Sequence, residues 1–146
     1  MSDPAAAPPP VHRASMRQLR QIVAGIGEGV ILVSPVGEIT WANAAALRMH
    51  GAEALAELGQ DAAGYRRRFA LRYRNNHPLD DAEYPIDRAV AGEAFAEVVV
   101  EVTPEGAEQP QWVHSLRSLI LTEEDGATEC CVLVLQDASA RFEAEE

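Results

Sequence analysis

The stretch from Val30 to Gly51 constrains the fold more than any other part of the chain. Val30-Ile31-Leu32-Val33 is a short apolar run, mostly β-branched, that suits a buried strand. Ser34-Pro35-Val36-Gly37 follows as a turn: the proline presets φ and the glycine supplies an unusual one. Glu38-Ile39-Thr40-Trp41 alternates polar and apolar, as a half-buried strand does. Asn43 stands where strand must give way to helix, and its side chain suits the first free amides of the Ala44-Ala45-Ala46 turn. A hairpin of this kind needs more strands beside it or a helix over it. The rest of the chain is therefore read as completing or covering a sheet.

Composition narrows the functional classes. The 146 residues make one domain, and 47% of them are hydrophobic, enough for a core. The net charge of -11 excludes a nucleic-acid binder, which needs a basic footprint to displace counterions from phosphate. It also excludes docking on an anionic membrane surface. Every basic residue is arginine. Arginine and aromatics interleave from Gly64 to Arg74, but against the overall charge this stretch reads as local balance for an acidic domain. Met1 to Pro10 has neither a basic start nor an apolar segment, so no leader or membrane span is expected and a cytoplasmic location is. Cys130 and Cys131 are adjacent within a strand, so their side chains point to opposite faces and a disulfide between them is not expected.

Taken in order, residues 1–13 form an alanine- and proline-rich tail expected to be disordered. Residues 14–27 form an amphipathic helix, with Met16, Leu19, Ile22, Val23 and Ile26 on one stripe. That stripe can lie on the domain's own sheet or pair with a second copy, and its five residues are the dimer-interface candidates. Residues 28–139 hold the domain. The Asn43 helix ends near Gly51, Ala52 to Leu58 forms a second short helix closed by Gly59, and Ala82 to Ala91 a third ended by Gly92. Phe95 to Thr103 and Gln111 to Leu121 read as strands. An Asp-Gly connection then leads into Thr128 to Gln136, a strand apolar enough to be central in the sheet. Residues 140–146 start a polar C-terminal helix, whose abrupt Glu145-Glu146 end leads us to expect an effector region beyond it. The whole is an α+β fold: a five-stranded antiparallel sheet with short helices on one face, flanked by N- and C-terminal helices.

Several spaced residues carry a resemblance. They are Gly37, Ile39, Asn43, Gly51 and Gly59, then Pro78-Leu79, the run from Glu83 to Glu93, Trp112, and finally Leu135-Gln136-Asp137-Ala138-Ser139. In this order and spacing the chain, from about Leu19 to Ser139, resembles a PAS domain, the small sensory module of bacterial kinases and other regulators. Asp137-Ala138-Ser139 resembles the family's Asp-x-Thr junction into a signalling helix, with Ser139 keeping the hydroxyl. The resemblance implies a sensor, dimeriser or relay, expected to be the N-terminal regulatory module of a bacterial sensor histidine kinase or similar regulator. It implies a homodimer, a downstream signalling domain or protein, and scope for a small-molecule ligand. It does not imply a cofactor.

Each cofactor is weighed on the residues. The light-sensing flavin subgroup needs a cysteine just after the glycine corresponding to Gly59; Ala62 stands there, so adduct chemistry is not expected. Noncovalent flavin could stack on Trp41 or Trp112, although large aromatic rings are ordinary core residues. Haem would need an axial histidine. His50 and His77 lie outside the helix that usually supplies it, and His114 lies on a strand that leaves it facing in or out. Trp41, Ile86, Val90 and His114 are the pocket candidates, with no bound cofactor the leading expectation. A haem or flavin redox or gas sensor is the alternative. No metal site and no catalytic spacing stands out, so the domain is not expected to be an enzyme; a small α+β enzyme with a cone-shaped pocket is the remaining alternative.

Overall fold

The computed structural model describes residues 13–14, 27–122 and 129–140. The expected hairpin is present as β2 (Gly29–Val33) and β3 (Ile39–Ala42), with β1 (Arg13–Ala14) before them. Ser34 Oγ accepts from Glu38 N–H and closes the turn between β2 and β3. The helix α1 (Ala44–Arg48) follows, then a 3-10 turn over Leu55–Leu58, α2 (Ala62–Arg68) and β4 (Phe69–Arg72). A second 3-10 turn at Asp81–Glu83 leads into α3 (Pro85–Val90), whose proline sits at the first turn, where its missing N–H costs nothing. The last three strands are β5 (Val98–Pro104), β6 (Trp112–Thr122) and β7 (Glu129–Asp137).

These strands form one sheet in the order β3-β2-β7-β6-β5-β4, antiparallel throughout, with β1 pairing in parallel on β6. The central strand β7 lies between β2 and β6 and aligns Leu135 with Gly29 and Leu116. Both β2 and β7 are continuous apolar runs because both sheet faces are buried there. Ile31, Val33, Leu133 and Leu135 join the inner core beneath the helices. Val30, Leu32, Val132 and Val134 form a separate buried cluster on the opposite face. Strands covered on both sides lose the polar alternation of a half-exposed strand.

The sheet has one more antiparallel strand than the five expected. The sixth is β4, inside the arginine-rich stretch, together with α2 just before it. Phe69 and Leu71 turn inward while Ala70 is exposed and Arg72 partly so, a real alternation but only four residues long. The preceding arginines belong to the last turn of α2, where cations suit the helix C-terminus. Asp61 caps that helix, its Oδ1 accepting from Gly64 N–H at 2.7 Å. Two expected helices are shorter than anticipated. Ala52 to Leu58 is helical only over the 3-10 turn Leu55–Leu58, and Ala82 to Ala91 divides into the Asp81–Glu83 turn and α3. The fifth strand of the chain starts at Val98 rather than Phe95, because Phe95 is held in a loop against Ser118 of β6.

One close approach depends on glycine. Gly59 ends the first 3-10 turn at φ 107°, and Gly64 lies directly against it. A Cβ on either residue would overlap the other's backbone. This contact sets how the Leu55–Leu58 turn stacks on α2. The expected amphipathic helix over 14–27, with its stripe Met16, Leu19, Ile22, Val23 and Ile26, lies outside the described residues up to Ile26. Arg13 and Ala14, at the boundary between tail and helix, form the two-residue strand β1 against Ile120 and Leu121. Residues 141–146 of the expected C-terminal helix also lie outside.

Candidate functional site

Asn43 does more than cap α1. Its Oδ1 accepts from Ala46 N–H at 2.9 Å and also from Val30 N–H at 3.0 Å, while its Nδ2–H donates to Glu28 O at 2.9 Å. One side chain thereby ties the helix start, the first central strand and the residue entering that strand. The exit from β7 has a matching tie. Ser139 Oγ accepts from Val113 N–H at 3.0 Å, and Asp137 Oδ1 accepts from Ser139 N–H. Gly29 is paired with Leu135 on β7, so the segment entering β2 and the segment leaving β7 meet at the same end of adjacent strands. Arg117 of β6 reaches the Glu28 carboxylate at 3.4 Å across this end.

Beneath these junctions the inner core contains a buried polar chain. His50 follows the end of α1, and His114 lies on β6; both are buried, at 3% and 0% exposure. Their rings are 4.8 Å apart, edge to face. His50 Nδ1 lies 2.8 Å from Ala46 O, and a carbonyl only accepts, so Nδ1 carries the hydrogen. Nε2 is then the bare nitrogen and accepts from the Tyr65 hydroxyl at 2.8 Å. His114 Nε2–H donates to Met49 O at 2.9 Å, which leaves Nδ1 bare, buried and without a hydrogen-bond partner. Burial, followed by the neighbouring His114, lowers His50 to about 3, against a smaller opposing effect of the Ala46 carbonyl. Burial also lowers His114 and raises the Tyr65 phenol. All three groups are therefore neutral at pH 7.

Aromatic rings extend the chain in both directions. Trp112 stacks on His114, Phe69 meets the edge of His50, and Tyr84 meets the edge of Tyr65. The Tyr84 hydroxyl donates to Phe69 O at 2.9 Å and accepts from Leu71 N–H at 3.2 Å, pinning β4 from the inside. Leu58, Ile86, Val100, Leu116 and Leu135 complete this core. Among the described residues, cavities open at its margin. One, of about 310 Å³, lies between the first 3-10 turn and α2 and is bounded by Gln60, Arg67, Arg68 and Glu105. Another, of about 170 Å³, shares Arg68 and Glu105 and reaches inward to His50 and Phe69.

The four pocket candidates from the sequence do not share one face. Ile86 and Val90 belong to the inner core, and His114 is buried there beside His50. Trp41 packs instead on the outer cluster with Leu119 and Cys130. Cys131 points the other way, its thiol donating to Ala89 O at 3.0 Å, so the adjacent cysteines do straddle the sheet. His77 is exposed in the loop before α3, 3.8 Å from Glu83. Among the described residues, no three His, Cys, Asp or Glu side chains gather as metal ligands. None of the described helices is long and apolar enough to cross a membrane. Sequence reasoning missed the pairing of His50 with His114 and Tyr65, and no local signal points to it, since the histidines are 64 positions apart.

A curled antiparallel sheet with short helices on one face, and with both chain junctions on neighbouring central strands, defines a small α+β fold. A family model for the PAS domain, a family of sensory modules, matches residues 17–87, and together with PAS-domain structures it supports a PAS domain here. Among solved structures it is similar to the PAS domain of the fruit-fly ELK potassium channel, at 8% identity and a TM-score of 0.59, covering 86% of this chain and 98% of that one. A light-oxygen-voltage domain studied with a flavin analogue superposes at 15% identity and a TM-score of 0.58, covering 88% and 93%. The PAS domain of an HTR-like protein from Haloarcula marismortui does so at 10% identity and 0.52, covering 83% and 89%. At these identities the likeness is one of fold. No curated protein sequence matches the chain.

Proposed function

We propose that this PAS domain is a sensory and dimerisation module of a cytoplasmic bacterial regulator, a sensor histidine kinase. It passes the binding of a ligand or partner to its flanking segments and performs no chemistry of its own; any enzymatic output belongs to another region or protein. The observation that carries this reading is the shared position of the two junctions. Asn43 fixes Glu28 and Val30, Ser139 fixes Val113, and β2 and β7 run side by side, so a shift of the sheet moves both flanking segments together. The stripe Met16, Leu19, Ile22, Val23 and Ile26 would pair two copies.

Light scattering on the full chain and on a version lacking the residues before Arg20 tests the pairing. A dimer that becomes a monomer on truncation supports it, and identical monomer masses for both end it. An absorbance spectrum with native mass spectrometry tests the relay reading against the cofactor reading. A Soret or flavin band retained by the purified chain would replace the first with the second.

A further inference from the structure

We infer that His50 and His114 form a proton-sensing latch, which holds α1 on the sheet while both rings are neutral and releases it when they are protonated. The inference rests on the sensory reading above for its meaning as a signal; its chemistry stands on the geometry alone. His50 Nδ1–H is committed to Ala46 O, so a second proton must go to Nε2; the Tyr65 hydroxyl would then have to turn and accept, and its own buried hydrogen would lose its acceptor. His114 Nε2–H is committed to Met49 O, so a second proton must go to Nδ1, which has no acceptor. Two imidazolium rings with centroids 4.8 Å apart would also repel each other in a site that offers little solvation.

The surroundings provide little relief. Tyr65 of α2, with Tyr84 beyond it, presents a neutral phenol. Asp137 of β7 is paired in register with His114 and favours its charged form, but its carboxylate also accepts from Ser139 N–H. Glu57, Arg68 and Glu105 line the cavity that reaches His50. Among the described residues, no carboxylate is hydrogen-bonded to either ring. The closed domain therefore refuses protons that an opened one accepts.

An exposed imidazole titrates near 6.5 and His50 in the closed domain near 3, so at pH 5 His50 alone favours the open form by about thirty-fold, and His114, lowered by burial, adds in the same direction. The folded values are lowered, so the stabilisation is present above the unfolded value and is lost as pH falls. The latch touches both chain junctions. His50 hangs from the helix that Asn43 caps, and His114 adjoins Val113, which bonds Ala138 and Ser139.

The test uses the full chain. Histidine ring signals are followed by NMR from pH 8 to pH 4.5, and urea unfolding is measured at pH 7.5 and pH 5.0. Both are repeated on His114→Phe, on the pair His50→Phe with Tyr65→Phe, and on all three changes together. Pairing Tyr65→Phe with His50→Phe leaves no hydroxyl stranded in the core. The latch requires the His50 and His114 rings to stay neutral until one cooperative transition. It also requires the acid-induced loss of stability to be at least about thirty-fold smaller in the triple variant than in the wild type. Rings that titrate individually near 6.5 in the closed domain would overturn it, as would an unchanged acid response in the triple variant. If that variant does not fold at neutral pH, the wild-type ring titration decides. Light scattering at both pH values separates the two readings: a histidine-dependent transition with no change in association supports the latch and removes the relay instead.

Discussion

Replacing Asn43 by alanine removes three hydrogen bonds in one step, and their environments set the cost. The lost cap at Ala46 N–H is worth about 1 kcal/mol. Val30 is fully buried, so its amide, deprived of Oδ1, stays unsatisfied at a cost of about 1–3 kcal/mol. Glu28 O lies at the domain margin and adds about 0.5 kcal/mol or less, since water can replace Nδ2. The expected loss is about 2–4 kcal/mol, a large share of the roughly 5–15 kcal/mol that stabilises a domain. Urea unfolding followed by tryptophan fluorescence measures it, with an unchanged dependence on denaturant showing that the unfolded state is the same. Asn43→Asp separates the contributions. It keeps the acceptor for Val30 and Ala46 but puts a charged oxygen in place of Nδ2 against Glu28 O, and that repulsion adds to the lost bond, so it should cost about 1–2 kcal/mol. A loss below about 0.5 kcal/mol in Asn43→Ala would refute the claim that this side chain joins α1 to the sheet. Equal losses in both variants would refute the assignment of most of the energy to Oδ1.

Two further outcomes follow from the same structure. Gly64→Ala forces a Cβ into the Gly59 backbone, where neither segment has a flexible side chain to move, and should cost more than about 3 kcal/mol; Ala63→Gly, next to it, should cost about 1 kcal/mol or less by thermal unfolding. Tyr84→Phe strands Phe69 O and Leu71 N–H, so it should cost about 1–3 kcal/mol, and hydrogen exchange should show the change concentrated in the amides of β4.

The hairpin was legible because its signals are local. Val30 to Val33, the Ser34–Gly37 turn and the Glu38–Trp41 alternation each act within a few residues of themselves, as does the Asn43 cap on Ala46. The continuous apolar run of β7 marked it as central for the same reason: a strand covered on both faces has no polar side to show. β4 escaped notice because four alternating residues are too few to stand out beside the arginines of α2.

The site was less legible, because its residues meet only after the chain has closed. Asn43 reaches back to Glu28 and Val30, and His50 meets His114 across the core. Trp41 and His114 both lie on strands, and their opposite faces depended on a pairing irregularity between Leu32 and Val33 and on the covering of both sides of the sheet. Periodicity and turn chemistry alone determined that this chain builds a strand-turn-strand capped by Asn43 and closed by a central apolar strand. Only the tertiary structure decided that the same asparagine joins helix to sheet, and that two histidines share one dry space. A side chain's hydrogen-bond partners and burial are set by segments distant in sequence, which local pattern cannot encode.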